Sequence, residues 1–296
     1  MAQLQFPRLP SNRHVDYLQA VILGLVQGLT EFLPISSTAH LRIVPALLGW
    51  NDPGPAFSAV IQLGTLVAVL GYFRNDIVQI ASAWLRGILS WRPLATHDSR
   101  MGWMMIVGTI PIVVCGLVFK DQIEHQFRTL PVIAGALVVL AILLALAEGF
   151  AAWRRRQGHA ARHLEQTTWA DAIVVGTAQA LALVPGSSRS GVTITAGLFD
   201  GLERETAARF SFLLAIPSIF AAGVFQLWTA RQALVGTSES LALLVIATLA
   251  ALVSGYASIA FLLGYLKKHS TLIFILYRLV LGGLLFYWLA TGTLQA

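Results

Sequence analysis

Two short polar runs interrupt an otherwise apolar chain. The first, Gln27 to Leu41, holds an amide (Gln27), a carboxylate (Glu31), three consecutive hydroxyls (Ser36, Ser37, Thr38) and an imidazole (His40). The second, Leu183 to Thr193, holds Gly186, Ser187, Ser188, Arg189, Ser190, Gly191 and Thr193 behind Pro185. A carboxylate beside hydroxyls can activate a weak nucleophile, and an imidazole can move a proton or attack phosphorus. A guanidinium fork matches phosphate oxygens and keeps its charge when buried. One run therefore brings an acid and a base, the other a fixed cation. Laying Pro34-Ile35-Ser36-Ser37 over Pro185-Gly186-Ser187-Ser188 sets Thr38 against Arg189, and the two runs read as halves of one anion-handling site.

Gln27 and Glu31 lie one helical turn apart and point the same way. A carboxylate in so apolar a setting needs a partner and marks a functional site by default; its bland alternative is to hold two helices together. Ser36, Ser37 and Thr38 open a helix, where free N–H groups and the dipole favour phosphate. Simple N-capping needs only one of them. Gly186 and Gly191 permit close backbone approach to a ligand, and Ser187, Ser188, Ser190 and Thr193 add donors. The plain alternative for Arg189 is a salt bridge to Glu31, which is compatible with an empty site. No His or Cys cluster has structural metal spacing. Glu31 beside phosphate groups can still share a Mg²⁺ or Ca²⁺, since such ions lean on substrate oxygens; no organic cofactor is expected. The other histidines (His14, His97, His125, His159, His163, His269) fall in loops and receive no role. Asp171 reads as a helix cap near the interface, Arg278 as a packing cation, and the lone Cys115 as a small core residue.

The elements that must carry these groups are set by the solvent. Of 296 residues, 56% are hydrophobic and 11% charged, with a mean hydropathy of +0.72. A soluble domain carries about 25% charged residues, so lipid must surround much of this chain. The net charge of +6 is the excess of basic residues in loops beside spans, which orients membrane proteins; a nucleic-acid partner is not expected. The polar residues 1–15 read as an irregular arm without a cleavable leader.

The chain is expected to be a single membrane domain over 1–296. A re-entrant hairpin at about 16–49 breaks at Pro34, since non-helical backbone at membrane depth needs protein or a cavity around it. Spans follow at 57–73, 101–119 and 130–153, with a partly amphipathic connection over 74–100. The pattern then begins again: a hairpin at about 169–200 and spans at 207–228, 241–266 and 272–290. Internal repeats of this kind (16–153 and 169–291) predict an all-α integral membrane protein of about ten helices, six of them spanning. Three spans is an odd number, so the second unit starts on the opposite face and the repeats are inverted, as in many transporters. The connection 74–100, the loop 154–168 and Lys267-Lys268 then share one basic face, expected to be cytoplasmic, and both termini point outward.

The two runs, Gln-Gly-Leu-Thr-Glu-Phe-Leu-Pro-Ile-Ser-Ser-Thr-Ala-His and Pro-Gly-Ser-Ser-Arg-Ser-Gly-Val-Thr, resemble the signature motifs of the bacitracin-resistance type undecaprenyl-diphosphate phosphatases. The resemblance covers length, motif separation and repeat layout. It implies a multi-pass enzyme of the bacterial inner membrane that hydrolyses undecaprenyl diphosphate to the monophosphate and phosphate. Such enzymes recycle the lipid carrier for peptidoglycan and other cell-wall polymers and lower sensitivity to bacitracin. The family's first motif begins with Glu or Gln, here Gln27, a difference that bears on metal affinity; Ala39 stands where members often have Gly.

On this basis the expected catalytic set is Glu31, Ser37, His40 and Arg189. Gln27, Ser36, Thr38, Gly186, Ser187, Ser188, Ser190 and Thr193 are the expected substrate contacts. The diphosphate comes in head-first with its tail in lipid. Arg189 and the helix-start N–H groups neutralise it, and Glu31 serves as base or metal ligand. The nucleophile is left open between Ser37, a water it positions, and His40. A secondary transporter or lipid flippase is the alternative from another class, since paired broken helices also serve transport. An intramembrane protease fits poorly, because an arginine-bearing anion site suits phosphate rather than a peptide carbonyl. A homodimer is compatible with the sequence.

Overall fold

The computed structural model describes residues 16–294; the arm expected over 1–15 lies outside them. In chain order the helices are α1 (Tyr17–Phe32), α2 (Ser37–Leu48), α3 (Gly54–Tyr72), α4 (Arg74–Leu89), α5 (His97–Val118), α6 (Leu130–Arg156), α7 (Trp169–Gln179), α8 (Arg189–Phe199), α9 (Arg204–Thr229), α10 (Arg231–Val235), α11 (Ser238–Leu266) and α12 (Leu272–Ala290). No strand is present among the described residues beyond one isolated bridge between Arg162 and Leu202. Helices α3, α5, α6, α9, α11 and α12 are long and apolar enough to cross a membrane. Large side chains such as Ile110, Leu117, Leu276 and Val280 point outward from them, which only a lipid surround makes favourable. This is a multi-pass membrane protein.

The two helices beyond the ten expected lie in the polar connections. Helix α4 occupies the first part of the 74–100 connection, and α10 sits in the 229–240 loop. The short loop 120–129 winds into one π-helical turn, Gln122–Gln126. The remaining bounds agree with the sequence reading to within a few residues, and the last span matches it end to end.

Local chemistry explains the hairpin starts. Asp16 caps α1 and exchanges hydrogen bonds with Gln19, satisfying two donors that a helix start leaves free. Thr168 caps α7, with Asp171 as its reciprocal partner rather than the cap itself. Asp171 is fully buried and takes the Arg162 fork at 2.6 Å. Burial pushes the Asp171 carboxyl up, but the fork, the Asp200 carboxyl and the Thr168 donors outweigh it and hold Asp171 down to about 2. Asp200 is pushed up to about 6 by burial and by Asp171 beside it.

The broken helices pack across the chain. Helix α1 lies along α11 and α7 along α5, so each hairpin leans on a span from the other half. Both crossings are close: a Cβ at Gly28 would stand 2.0 Å from Ser254 Oγ, and one at Gly176 would stand 2.5 Å from Gly108 Cα. Small residues at such crossings let helices approach where lipid supplies no hydrophobic drive.

Candidate active site

The hairpin tips have one geometry in two copies. Ser36 and Ser188 are the N-caps of α2 and α8, at φ +75° and +69°. Each hydroxyl accepts from the N–H three residues on, Ala39 at 3.3 Å and Gly191 at 3.2 Å. Each also bonds the hydroxyl two residues on, Thr38 and Ser190, at 3.1 Å. By turn geometry Ser36 matches Ser188, Ser37 matches Arg189 and Thr38 matches Ser190. This register is one residue off the proline-based alignment. Pro34 precedes its cap by two residues and Pro185 by three, with Gly186 at φ +96° taking up the extra one.

The tips touch each other. Gly186 donates its N–H to Thr38 Oγ1 (3.4 Å), and Ser190 Oγ donates to the Leu33 carbonyl (3.0 Å). Ser37 and Arg189, the first residues of their helices, converge on Glu31. Glu31 Oε2 accepts from Ser37 Oγ at 2.7 Å, from Gln27 Nε2 at 2.7 Å and from Gln62 Nε2 at 3.4 Å. Its Oε1 takes the Arg189 guanidinium, whose other arm reaches Ser218 Oγ at 3.4 Å. Glu31 is 3% exposed at its side chain and Arg189 15%. A hydroxyl donating to a carboxylate that other donors hold in place is the arrangement of a nucleophile with its base. The ion pair to Glu31 is also the plain structural reading of Arg189.

His40 is placed differently. Its Nδ1 lies 2.7 Å from the Ser36 carbonyl and its Nε2 2.6 Å from the Tyr277 hydroxyl of α12. Both ring nitrogens are thus engaged, and neither is bonded to Glu31, Ser37 or Arg189. Thr193 is braced inward, with its hydroxyl bonding the Arg189 carbonyl at 2.7 Å and Ser211 Oγ at 2.5 Å. The two glycines make room for protein rather than ligand. A Cβ on Gly186 would meet the Ile133 carbonyl at 2.6 Å, and one on Gly191 would meet Arg278 Nη1 at 2.8 Å.

Arg278 is more than a packing cation. It is fully buried, and its donors go to backbone carbonyls: Pro34 and Ser187 from Nη1, Gly186 and Ala136 from Nη2, and Leu137 from Nε, all at 3.1–3.2 Å. One guanidinium thereby ties both tips to α6 and satisfies carbonyls that a broken helix would otherwise leave bare. Sequence reasoning gave no role to Gln62, Ser218 or Tyr277. The available signal was the same for each, a polar group inside an apolar span.

A cavity of about 450 Å³ adjoins the cluster. Thr38, Gln62 and Ser218 line it on the cluster's side, Leu183 belongs to its apolar wall, and Lys120 and Arg128 come from the 119–129 connection. A largely apolar recess with a few convergent polar groups suits an amphiphile with a charged head. Among the described residues no three His, Cys, Asp or Glu side chains gather. A hard cation would rest on Glu31 and on Gln27 Oε1, which is buried without a partner, with ligand oxygens completing the shell.

The chain's relatives agree with one another. The family profile described as "Bacitracin resistance protein BacA" matches residues 20–284. A protein of Chlorobium phaeovibrioides named undecaprenyl-diphosphatase is 59% identical over 276 residues, covering 93% of this chain and 98% of the relative. Proteins of the same name from Chlorobaculum tepidum and Chloroherpeton thalassium are each 56% identical, covering 95% of this chain and 99% and 100% of theirs.

Proposed function

The chain belongs to the bacitracin resistance protein BacA family, and on that premise we propose that it hydrolyses undecaprenyl diphosphate to undecaprenyl phosphate and phosphate. This is an anhydride hydrolysis that returns the carrier lipid to cell-wall synthesis and lowers sensitivity to bacitracin. The observation that carries the reading is the Ser37 hydroxyl donating to Glu31 while Arg189 grips the same carboxylate. Acid, hydroxyl and fixed cation meet beside a recess suited to a lipid head.

The diphosphate takes Arg189 from Glu31, and the guanidinium with the N–H groups at the starts of α2 and α8 holds the charge on the phosphates. Ser37 Oγ bonds to the terminal phosphorus as its proton passes to Glu31. The bond from that phosphorus to the bridging oxygen breaks, and undecaprenyl phosphate departs as its anion. Water then attacks the phosphoserine and gives a proton to His40 Nε2, while Ser37 Oγ leaves with the proton held by Glu31. His40 later releases its proton to solvent. When a Mg²⁺ or Ca²⁺ is bound, Glu31 and Gln27 Oε1 are the residues to hold it, and it adds positive charge against the phosphates.

The two units, α1–α6 and α7–α12, are inverted repeats. Support comes from the shared order of elements, the matched Ser36 and Ser188 caps, and the three spans in each unit. The basic connections 74–100 and 154–168 and Lys267-Lys268 lie in the cytoplasm, and the cavity flanked by Lys120 and Arg128 opens outward, where the head group arrives with its tail in the bilayer.

The test is phosphate release by the purified protein in detergent, where transport has no meaning. Ser37→Ala should release phosphate at least a thousandfold more slowly, and a phosphoserine should be trapped from wild type by acid quenching. Full activity of Ser37→Ala would leave water or His40 as the nucleophile, and no release by wild type would return the chain to the transporter reading.

A further inference from the structure

Helix α12 carries two adjacent polar residues, Tyr277 and Arg278, in an apolar span. Arg278 is pinned by the carbonyls described above, which fixes the helix against the hairpin tips. Tyr277, one position earlier, reaches the same tip by its phenol, 2.6 Å from His40 Nε2. The rings are stacked near parallel, 12° apart with centroids at 5.6 Å.

The bond pattern fixes the histidine. The Ser36 carbonyl can only accept, so Nδ1 at 2.7 Å carries the proton. In the neutral ring Nε2 is then an acceptor, and the Tyr277 O–H donates to it. Tyr277 is 43% exposed on a helix that turns Leu276 and Val280 to the surroundings. A hydroxyl at that depth is unfavourable without a partner, and His40 is the partner it has.

We propose that Tyr277 is a positioning residue for the reaction. Its phenol and the Ser36 carbonyl anchor the two ends of the His40 imidazole, fixing the Nδ1–H tautomer and presenting Nε2 as the nitrogen that accepts the proton. The phenol hydrogen is a rotor, so its bond can be traded for one from the attacking water without moving the ring. Remove the phenol and one of two anchors is gone; the imidazole can then turn about its Cβ–Cγ bond. This inference rests on the role given to His40 above.

The experiment compares Tyr277→Phe and His40→Ala, full length and in detergent, with undecaprenyl diphosphate as substrate. Phe keeps the ring and loses only the O–H. The expected result is a kcat about tenfold lower, the worth of one hydrogen bond, with KM within twofold and an unchanged thermal midpoint. In protein labelled with ¹⁵N-histidine, the resonance that His40→Ala removes should shift at Nε2 in Tyr277→Phe. A Tyr277→Phe protein with full kcat, with loss confined to KM or accompanied by a lowered midpoint, or with an unmoved Nε2 resonance, would overturn the proposal. A slow His40→Ala beside a fully active Tyr277→Phe removes the tyrosine inference alone, whereas a fully active His40→Ala removes the premise on which it stands.

Discussion

Replacing Glu31 by Gln should destabilise the protein more than replacing Arg189 by Gln, although the two form one ion pair. The difference follows from what each leaves behind. Glu31 Oε2 accepts from Ser37 and Gln27 at 2.7 Å, while Oε1 takes Arg189. A glutamine offers one acceptor and one NH₂ group. With its oxygen toward Ser37 and Gln27, the NH₂ faces the guanidinium; flipped, it faces two donors. Arg189 would then keep only Ser218 at 3.4 Å. Stranding one member of a buried pair costs about 3–5 kcal/mol, and the 15% exposure of Arg189 argues for the lower end, about 3 kcal/mol. In Arg189→Gln the carboxylate still has Ser37, Gln27 and Gln62, so the loss should be nearer 1–2 kcal/mol, typical of a charged hydrogen bond. The double variant should fall short of the sum by about 2 kcal/mol, as contacting charges do. Thermal unfolding in detergent at neutral pH reads all three. Inorganic phosphate should raise the midpoint of Glu31→Gln more than that of wild type, because the freed guanidinium takes it. Phosphate release by Glu31→Gln should fall about a thousandfold, within the range for loss of a general base. A Glu31→Gln protein as stable as wild type, or additive singles, would mean the pair does not hold the tips together.

Three further outcomes are expected. At the caps, Ser36→Ala and Ser188→Ala each lose a capping hydroxyl while keeping a positive φ, so each should lower stability by about 1–2 kcal/mol. The Gly variants relieve the backbone and should lose only a few tenths, as ranked by thermal midpoints. Asp200→Asn should raise the thermal midpoint at pH 7.5, about half as much at pH 5, and little at pH 3.5. The folded Asp200 carboxyl is pushed up to about 6, above its unfolded value, so its ionised form disfavours the fold as pH rises through that range; after solvent screening the gain is on the order of 1 kcal/mol. Gln27→Glu adds a second carboxylate beside Glu31 and should increase the stabilisation by Mg²⁺ or Ca²⁺, read as the midpoint shift on titrating the cation against a chelator.

Most of the architecture was legible because lipid leaves few ways to satisfy a backbone. Long apolar runs must be helices, and prolines beside polar runs mark where helices break and need cover. The span Leu272–Ala290 and the capping Asp16 follow from those constraints alone. The convergence of Glu31, Ser37 and Arg189 was readable as well, since a carboxylate and a guanidinium in an apolar chain must find each other. The partners of His40 were not readable. Nothing in the spacing of the first run says that its ring turns toward α12, because Tyr277 lies 237 residues away. The glycines were misleading for a related reason: a missing Cβ records close approach without saying by what, and here it is α6 and Arg278.

The one-residue register difference between the tips has a chemical consequence. Counted from proline, Thr38 opposes Arg189, and the equivalence joins a hydroxyl of no special standing to the cation. Counted from the caps, Ser37 and Arg189 are the same position, the first residue after a Ser at positive φ. That position opens each helix, and in both units it meets Glu31. Two equivalent addresses have thus taken different residues, a hydroxyl in one and a guanidinium in the other. Neither unit alone could supply both, since each cap offers one such position. The matched geometry of the two tips is broken where two unlike groups meet one carboxylate. Arg278, bonded to Pro34 in one tip and to Gly186 and Ser187 in the other, holds the unlike groups in register.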